Sequence, residues 1–183
     1  MILPRFRRSP DRHTIAALYG AIVAQARLPV FYAAYGVPDT ANGRFDMILL
    51  HATLVLRRLR AGGSPIQALG QGVFDEFCRD MDDNLREMGT SDLGVPKKMR
   101  KLAQAFYGRA QAYDLALDQG DDAELAAALT RNIYAEVSPV AVAPLAAYVR
   151  ETTRDLSEQS DETLSRSEVR FPDPEHPAAA AAE

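Results

Sequence analysis

Catalysis needs a nucleophile, a base or a set of metal ligands held together, and few of these 183 residues could supply them. The three histidines, His13, His51 and His176, are scattered. No two stand four apart, and no glutamate precedes one by three as in helical di-iron sites. There is no glycine-rich phosphate loop and no G-x-S-x-G elbow. His51 lies inside an apolar run, where a hydrogen-bonded core histidine is the expectation. Cys78, the one cysteine, reads as a small buried hydrophobe. It leaves no intrachain disulfide to form, in keeping with a reducing compartment. The chain is therefore expected to be no enzyme, with no catalytic residue, no metal and no cofactor.

Charge is the more informative chemistry. On "FDEFCRDMDDNLRE" the acids Glu76, Asp80, Asp83 and Glu87 recur at helical spacing and stack like charges, which costs about 0.2–0.5 kcal/mol per neighbouring pair. Asp75 with Arg79 and Asp82 with Arg86 offer compensating pairs four apart. The stripe reads either as a solvated, salt-laced face or as an acidic surface for a basic partner. In "VPKKMRKLAQAFYGR" the three lysines of the chain, Lys97, Lys98 and Lys101, gather with Arg100. They occupy the first turns of a helix, an end that disfavours each by about 0.3–1 kcal/mol. A hairpin could bring them to the acids, but surface pairs contribute only about 0–1 kcal/mol. Such broken local rules tend to mark functional surfaces.

The elements that must carry these charges are helical. A composition of 47% hydrophobic and 25% charged residues is that of one ordinary globular domain, and nothing alternates with period two for long. Ser9-Pro10-Asp11 opens a helix to about Arg27, Pro29 starts a short one, and Gly36 stops it. "RFDMILLHATLVLRRLR" comes next. Its apolar run of about a dozen residues is too short for a bilayer, which needs roughly 20. It reads as a helix buried on most faces, with Arg57, Arg58 and Arg60 at its negative end.

Gly62-Gly63 ends that helix. Ser64 with Gln67 then predicts a capping box for a helix to Gly89, with Ile66, Leu69, Val73, Phe77, Met81 and Leu85 inward. Further helices run from Pro96 to Gly120, from Asp121 to about Val137, and past Pro139 and Pro144 to about Ser157. The fold class is all-α, a compact bundle of six or seven helices with a largely disordered acidic tail.

The charge divides accordingly. Residues 1–150 carry 18 Lys and Arg against 16 Asp and Glu, whereas 151–183 carry 3 against 9. The expected organisation is a basic arm over 1–8, one helical domain over 9–158 and a low-complexity tail over 159–183. Within the tail "VRFPDP" is an extended segment able to dock. Truncation after about Arg170 is expected to leave the fold intact. "MILPRFRRSP" has no apolar h-region and is not read as a secretory signal.

Two blocks carry a resemblance over about residues 13 to 150. "ARLPVFYAAYGVPDTANGRFDMILLHATLVLRRLR" and "FDEFCRDMDDNLREMGTSDLGVPKKMRKLAQAFYGRAQAYDLAL" resemble, in this order, the ubiquinol–cytochrome c chaperone family, assembly factors of the cytochrome bc1 complex. The resemblance implies an all-helical, non-enzymatic protein with cytochrome b as its membrane-protein client, and with a small partner protein or the ribosome nearby. Lacking a long presequence, the chain resembles a bacterial member, expected in the cytoplasm with peripheral contact at the cytoplasmic face of the inner membrane. The matching positions are Tyr35, Gly36, Asp39, Phe45, Asp46 and Arg57 in the first block. In the second they are Asp75, Phe77, Asp80, Met81, Asp83, Arg86, Lys97, Met99, Phe106, Tyr107, Gly108 and Arg109.

The expected partner-binding residues are the polar ones among these, together with Lys98, Lys101 and Tyr107. Phe45, Phe77 and Phe106 are expected in the core. Gly108, mid-helix, suggests a close helix crossing or a close partner. A competing reading is a ribosome or nucleic-acid binder using Lys97–Lys101 with Arg5, Arg7, Arg8 and Arg12, whose binding would fall steeply with salt. The acidic balance of the chain speaks against it, no direct DNA binding is expected, and a helical enzyme is the weakest reading.

Overall fold

The computed structural model describes residues 11–135 and 142–175. Among the described residues eight helices follow in order: α1 (Arg12–Ala26), α2 (Pro29–Ala33), α3 (Ala41–Ala61), α4 (Ser64–Glu87), α5 (Val95–Gln119), α6 (Asp122–Ile133), α7 (Val142–Glu158) and α8 (Asp161–Ser165). No strand occurs among the described residues, so the all-α class is as expected.

α3 is the axis of the bundle. Met47, Leu49, Leu50, Ala52 and Val55 are fully buried, as a helix apolar on most faces must be. It is enclosed by α1, α4, α5, α6 and α7. α1 closes one side through Leu18, Tyr19, Ile22 and Ala26. Residues Arg12–Ala33 form the one described stretch long and apolar enough to cross a membrane. The stretch breaks at Leu28-Pro29 into two helices, and its buried side lies on the bundle.

Local signals explain most boundaries. Asp121 caps α6 by accepting the amides of Ala123 and Glu124 at 2.9 and 3.0 Å. Gly36 and Gly120 take positive φ, 69° and 66°, as helix stops. Three sequence expectations need correction. α1 is capped by Asp11, which accepts from the His13 amide; Ser9 and Pro10 lie outside the described residues. At α4 the capping residue is Gly63, not Ser64, because Gln67 is engaged elsewhere: its Nε2 donates to the carbonyls of Arg60 and Gly62 at the end of α3. α6 ends at Ile133; Val137 and Pro139 lie outside the described residues.

The segment after residue 158 divides. Residues 159–175, which composition assigns to a disordered tail, are ordered against the bundle, and 176–183 lie outside the described residues. Ser160 caps α8, whose Leu164 is fully buried. Gln159 brackets Arg170, donating to its carbonyl and accepting its amide at 2.8 and 2.9 Å. "VRFPDP" then runs extended, and the Phe171 ring lies 5.8 Å from the His51 ring. The Pro174 carbonyl accepts from the buried Tyr35 hydroxyl at 2.8 Å. Composition missed this because the apolar contacts come from only a few residues, Leu164, Val169 and Phe171, spread among polar ones. The segment is held by carbonyl acceptors, which any sequence supplies.

Candidate functional site

α4 and α5 form an antiparallel hairpin whose tip, residues 88–94, is folded tightly. Gly89 turns at φ 78°, the Thr90 amide reaches the Leu85 carbonyl, and the amides of Gly94 and Val95 both reach Ser91. The hairpin is as expected, but its charges do not meet. Lys98 Nζ donates to Thr90 Oγ1 at 2.8 Å. Among the described residues no ion pair involves Lys97, Lys98, Arg100 or Lys101, and all four are exposed. Four cations are thus kept at the unfavourable end of a helix with no ion pair among the described residues.

The acidic stripe is engaged within the chain at its first two members. Glu76 pairs with Arg79, displacing the expected Asp75–Arg79 pair, and Asp75 instead accepts from Gln71. Asp80 accepts from the Tyr19 hydroxyl at 2.7 Å, joining α4 to α1, while burial and this acid push the Tyr19 hydroxyl above its ordinary range. Arg86 holds Asp82, as expected, and also Asp92 across the tip. Asp83 and Glu87 are exposed. Half of the stripe, Glu76 and Asp80, is thus engaged within the chain, while Asp83 and Glu87 face solvent.

A cleft of about 470 Å³ opens beside the lysines, between the start of α3, the first half of α5 and the end of α6. Asp46 and Arg109, 12% and 23% exposed, form an ion pair across its wall and tie α3 to α5. Lys98 and Lys101 stand on its rim, and Phe45, Leu85, Leu102 and Ile133 give it apolar lining. With Arg131 the cleft carries four cations against the one carboxylate of Asp46. Of the expected site residues it brings together Asp46, Lys98, Lys101 and Arg109. Arg131, Leu85 and Ile133 were missed, being ordinary surface or stripe positions in the sequence.

The other expected residues lie elsewhere, and most are structural. Tyr35 is buried and accepts from the Tyr134 hydroxyl through its carbonyl. Asp39 pairs with Arg44 at 2.7 Å on the surface, and this bond holds its carboxyl below the usual range. Arg57 clamps Asp114 and Asp118 of α5, lowering the Asp118 carboxyl. Arg58 donates to the carbonyls of Leu156 and Gln159 and pairs with Asp161. The arginines at the end of the apolar run therefore fasten α3 to its neighbours.

Tyr107, 61% exposed, lies over Phe74 and Phe106 in an aromatic row that continues to Phe77. Around Gly108 an added Cβ would meet nothing within 4 Å, so no close helix crossing explains it. Arg5, Arg7 and Arg8, on which the nucleic-acid reading drew, lie outside the described residues.

The histidine of α3 is a core group, as expected. His51 Nδ1 donates to the Met47 carbonyl at 2.8 Å, so Nε2 is the acceptor and takes the Tyr148 hydroxyl at 2.9 Å. Tyr148 in turn accepts from Gln25 at 3.0 Å. Burial pushes the imidazole down to about 4 and the Tyr148 hydroxyl up to about 12. Burial likewise raises the Cys78 thiol, which keeps it protonated. Among the described residues no group of three or more His, Cys, Asp or Glu is placed to hold a metal.

This architecture matches known proteins. The Cbp3 homolog from Brucella abortus superposes with a TM-score of 0.85 at 44% identity, over 96% of this chain and 98% of that one. Ubiquinol-cytochrome c reductase complex assembly factor 1 of Mus musculus is 29% identical over 86% of this chain and 55% of its own length. The same-named protein of Homo sapiens is 29% identical over 82% and 51%. The chain thus spans about half the length of these curated relatives. The Ubiquinol-cytochrome C chaperone family model matches residues 33–171, which include the lysine hairpin, the cleft and most of the docked tail. The chain belongs to the ubiquinol–cytochrome c chaperone family.

Proposed function

We propose that this chain is a non-enzymatic chaperone for assembly of ubiquinol–cytochrome c reductase, and that it holds cytochrome b in the cleft between α3, α5 and α6. The observation that carries the reading is the cleft itself: an apolar floor, a cationic rim and one internally neutralised ion pair. A membrane-protein segment presents apolar side chains along its length and unsatisfied carbonyls, partly negative, at its end. The floor accepts the first, and Lys98, Lys101 and Arg131 accept the second. None of these contacts requires bond chemistry, which fits release of an unchanged client. The chain would act in the cytoplasm, peripheral to the inner membrane where such a client is inserted.

The test is a photo-crosslinking residue at Ala105 inside the cleft, with Ala68 on α4 as a control outside it, in the source cells. Cytochrome b should be recovered from the first position and not the second. The pair of substitutions Lys98→Glu and Lys101→Glu should lower its capture while leaving the fold intact, since a reversed charge at a rim slows association. Recovery from both positions alike, or capture unaffected by the charge reversals, refutes the assignment.

A further inference from the structure

The tip of the α4–α5 hairpin carries the two most exposed large apolar side chains among the described residues, Met88 at 75% and Leu93 at 93%. They are presented firmly. Val95, only 1% exposed, anchors the tip in the bundle. Backbone bonds close the turn on both sides of Leu93, and Lys98 ties down Thr90. Neither Met88 nor Leu93 lines the cleft. The first turns of α5, which follow Leu93 in the chain, carry Lys97, Lys98, Arg100 and Lys101, none in an ion pair among the described residues. Over residues 86–101 five cations face two carboxylates, and one of these, Asp92, is already held by Arg86.

We propose that this tip docks on an anionic lipid bilayer, with Leu93 and Met88 entering the headgroup–acyl boundary and the cluster Lys97–Lys101 lying against the headgroups. A convex turn with an isolated leucine at its apex suits insertion between lipids; a peptide partner would need a groove there. The fixed cations supply the second signal that reversible membrane attachment requires. Lys98 and Lys101 belong to both surfaces, so the docked protein would hold its cleft at the membrane interface. This deepens the peripheral placement proposed above by naming the surface that makes it. The test needs no client, so failure here leaves the client reading standing, and the converse holds.

The experiment is flotation of the purified chain with vesicles of phosphatidylcholine alone or mixed with phosphatidylglycerol. The parent should float with the anionic vesicles only, and less as salt rises, because the attraction is screened. Leu93→Glu, at a site with almost no internal contact, should keep the parent's helical circular dichroism and bind about tenfold more weakly, the loss expected for one inserted leucine. Lys97→Glu should weaken binding further, by about fivefold for each unit of charge removed. A parent that fails to float with anionic vesicles overturns the proposal, as does a Leu93→Glu variant that floats equally well. So does a parent that ignores lipid while Leu93→Glu loses cytochrome b, which would assign the tip to a protein partner.

Discussion

Acid should weaken this protein through His51 before the carboxylates titrate. In the folded chain the imidazole donates from Nδ1 to the Met47 carbonyl and accepts at Nε2 from Tyr148, so a second ring proton has no acceptor. Burial holds the group at about 4 against 6.5 for a free histidine. Between those values the unfolded chain takes up a proton that the folded chain refuses. Stability is therefore undiminished above about pH 6.5, falls as the pH drops through the interval, and has lost its full share below about pH 4. The gap corresponds to about 3 kcal/mol in all, of which about 2 kcal/mol is lost at about pH 5.

Urea unfolding at about pH 7 and about pH 5 measures the loss. His51→Leu is the control: it lowers stability at both values by breaking the contact with Tyr148, but removes the titration and so flattens the difference. Every other group is the same in both proteins, so its contribution cancels in the comparison. A parent whose stability is the same at both values, or a leucine variant with an undiminished slope, refutes the account of the network.

Three further outcomes are expected. A stop after Arg170 removes the Phe171 ring and the acceptors for Tyr35 and Gln25, and should cost about 2–4 kcal/mol; an unchanged melting temperature would show that the segment is not held. Joint replacement Lys97→Glu with Lys98→Glu forfeits the bond to Thr90 but puts acids where the helix dipole favours them, so urea unfolding should show equal or greater stability, by up to about 0.3–1 kcal/mol per residue. Alanine should act oppositely at two glycines. At Gly43 its Cβ would lie 1.9 Å from the Pro38 carbonyl oxygen and cost about 2 kcal/mol or more, whereas at Gly108 it enters open space and should raise stability by about 0.5–1 kcal/mol. Thermal melts compare them.

Periodicity and caps were enough to locate α3 as a buried helix and to separate α4 from α5 at Gly89, because these depend on neighbours in sequence. The inward residues of α4 from Ile66 to Met81 are buried as the stripe requires. The site was legible only in part. The lysine cluster announced itself by violating the dipole rule, and Asp46 and Arg109 came through the family resemblance. That those two form a pair across 63 residues, or that Arg57 is spent on Asp114, is a tertiary fact with no local trace. Leu93, by contrast, did leave a signal, a leucine between Asp92 and Gly94 in a turn of polar residues. Reading the cluster for charge alone passed over it. The docked tail failed for the reason its contacts show: backbone carbonyls carry it, and they are silent in composition.

Those carbonyls also bear on the order in which the fold can close. The acceptors for Gln25 and Tyr35 come from Pro172 and Pro174, and Ser167 reaches back to the Thr14 carbonyl. Residues made earlier are thus satisfied by residues made 139 to 153 positions later. During synthesis the helices can collapse around α3, yet the Tyr35 hydroxyl stays unsatisfied and one side of His51 uncovered until Phe171 and Pro174 are out. The closing step spans almost the full contour of the domain, the slow kind of contact to form. A ribosome that stalls or a protease that clips near Arg170 would therefore leave a bundle with its helices in place and its polar centre open. The docked segment in this sense reports that translation has passed Pro174.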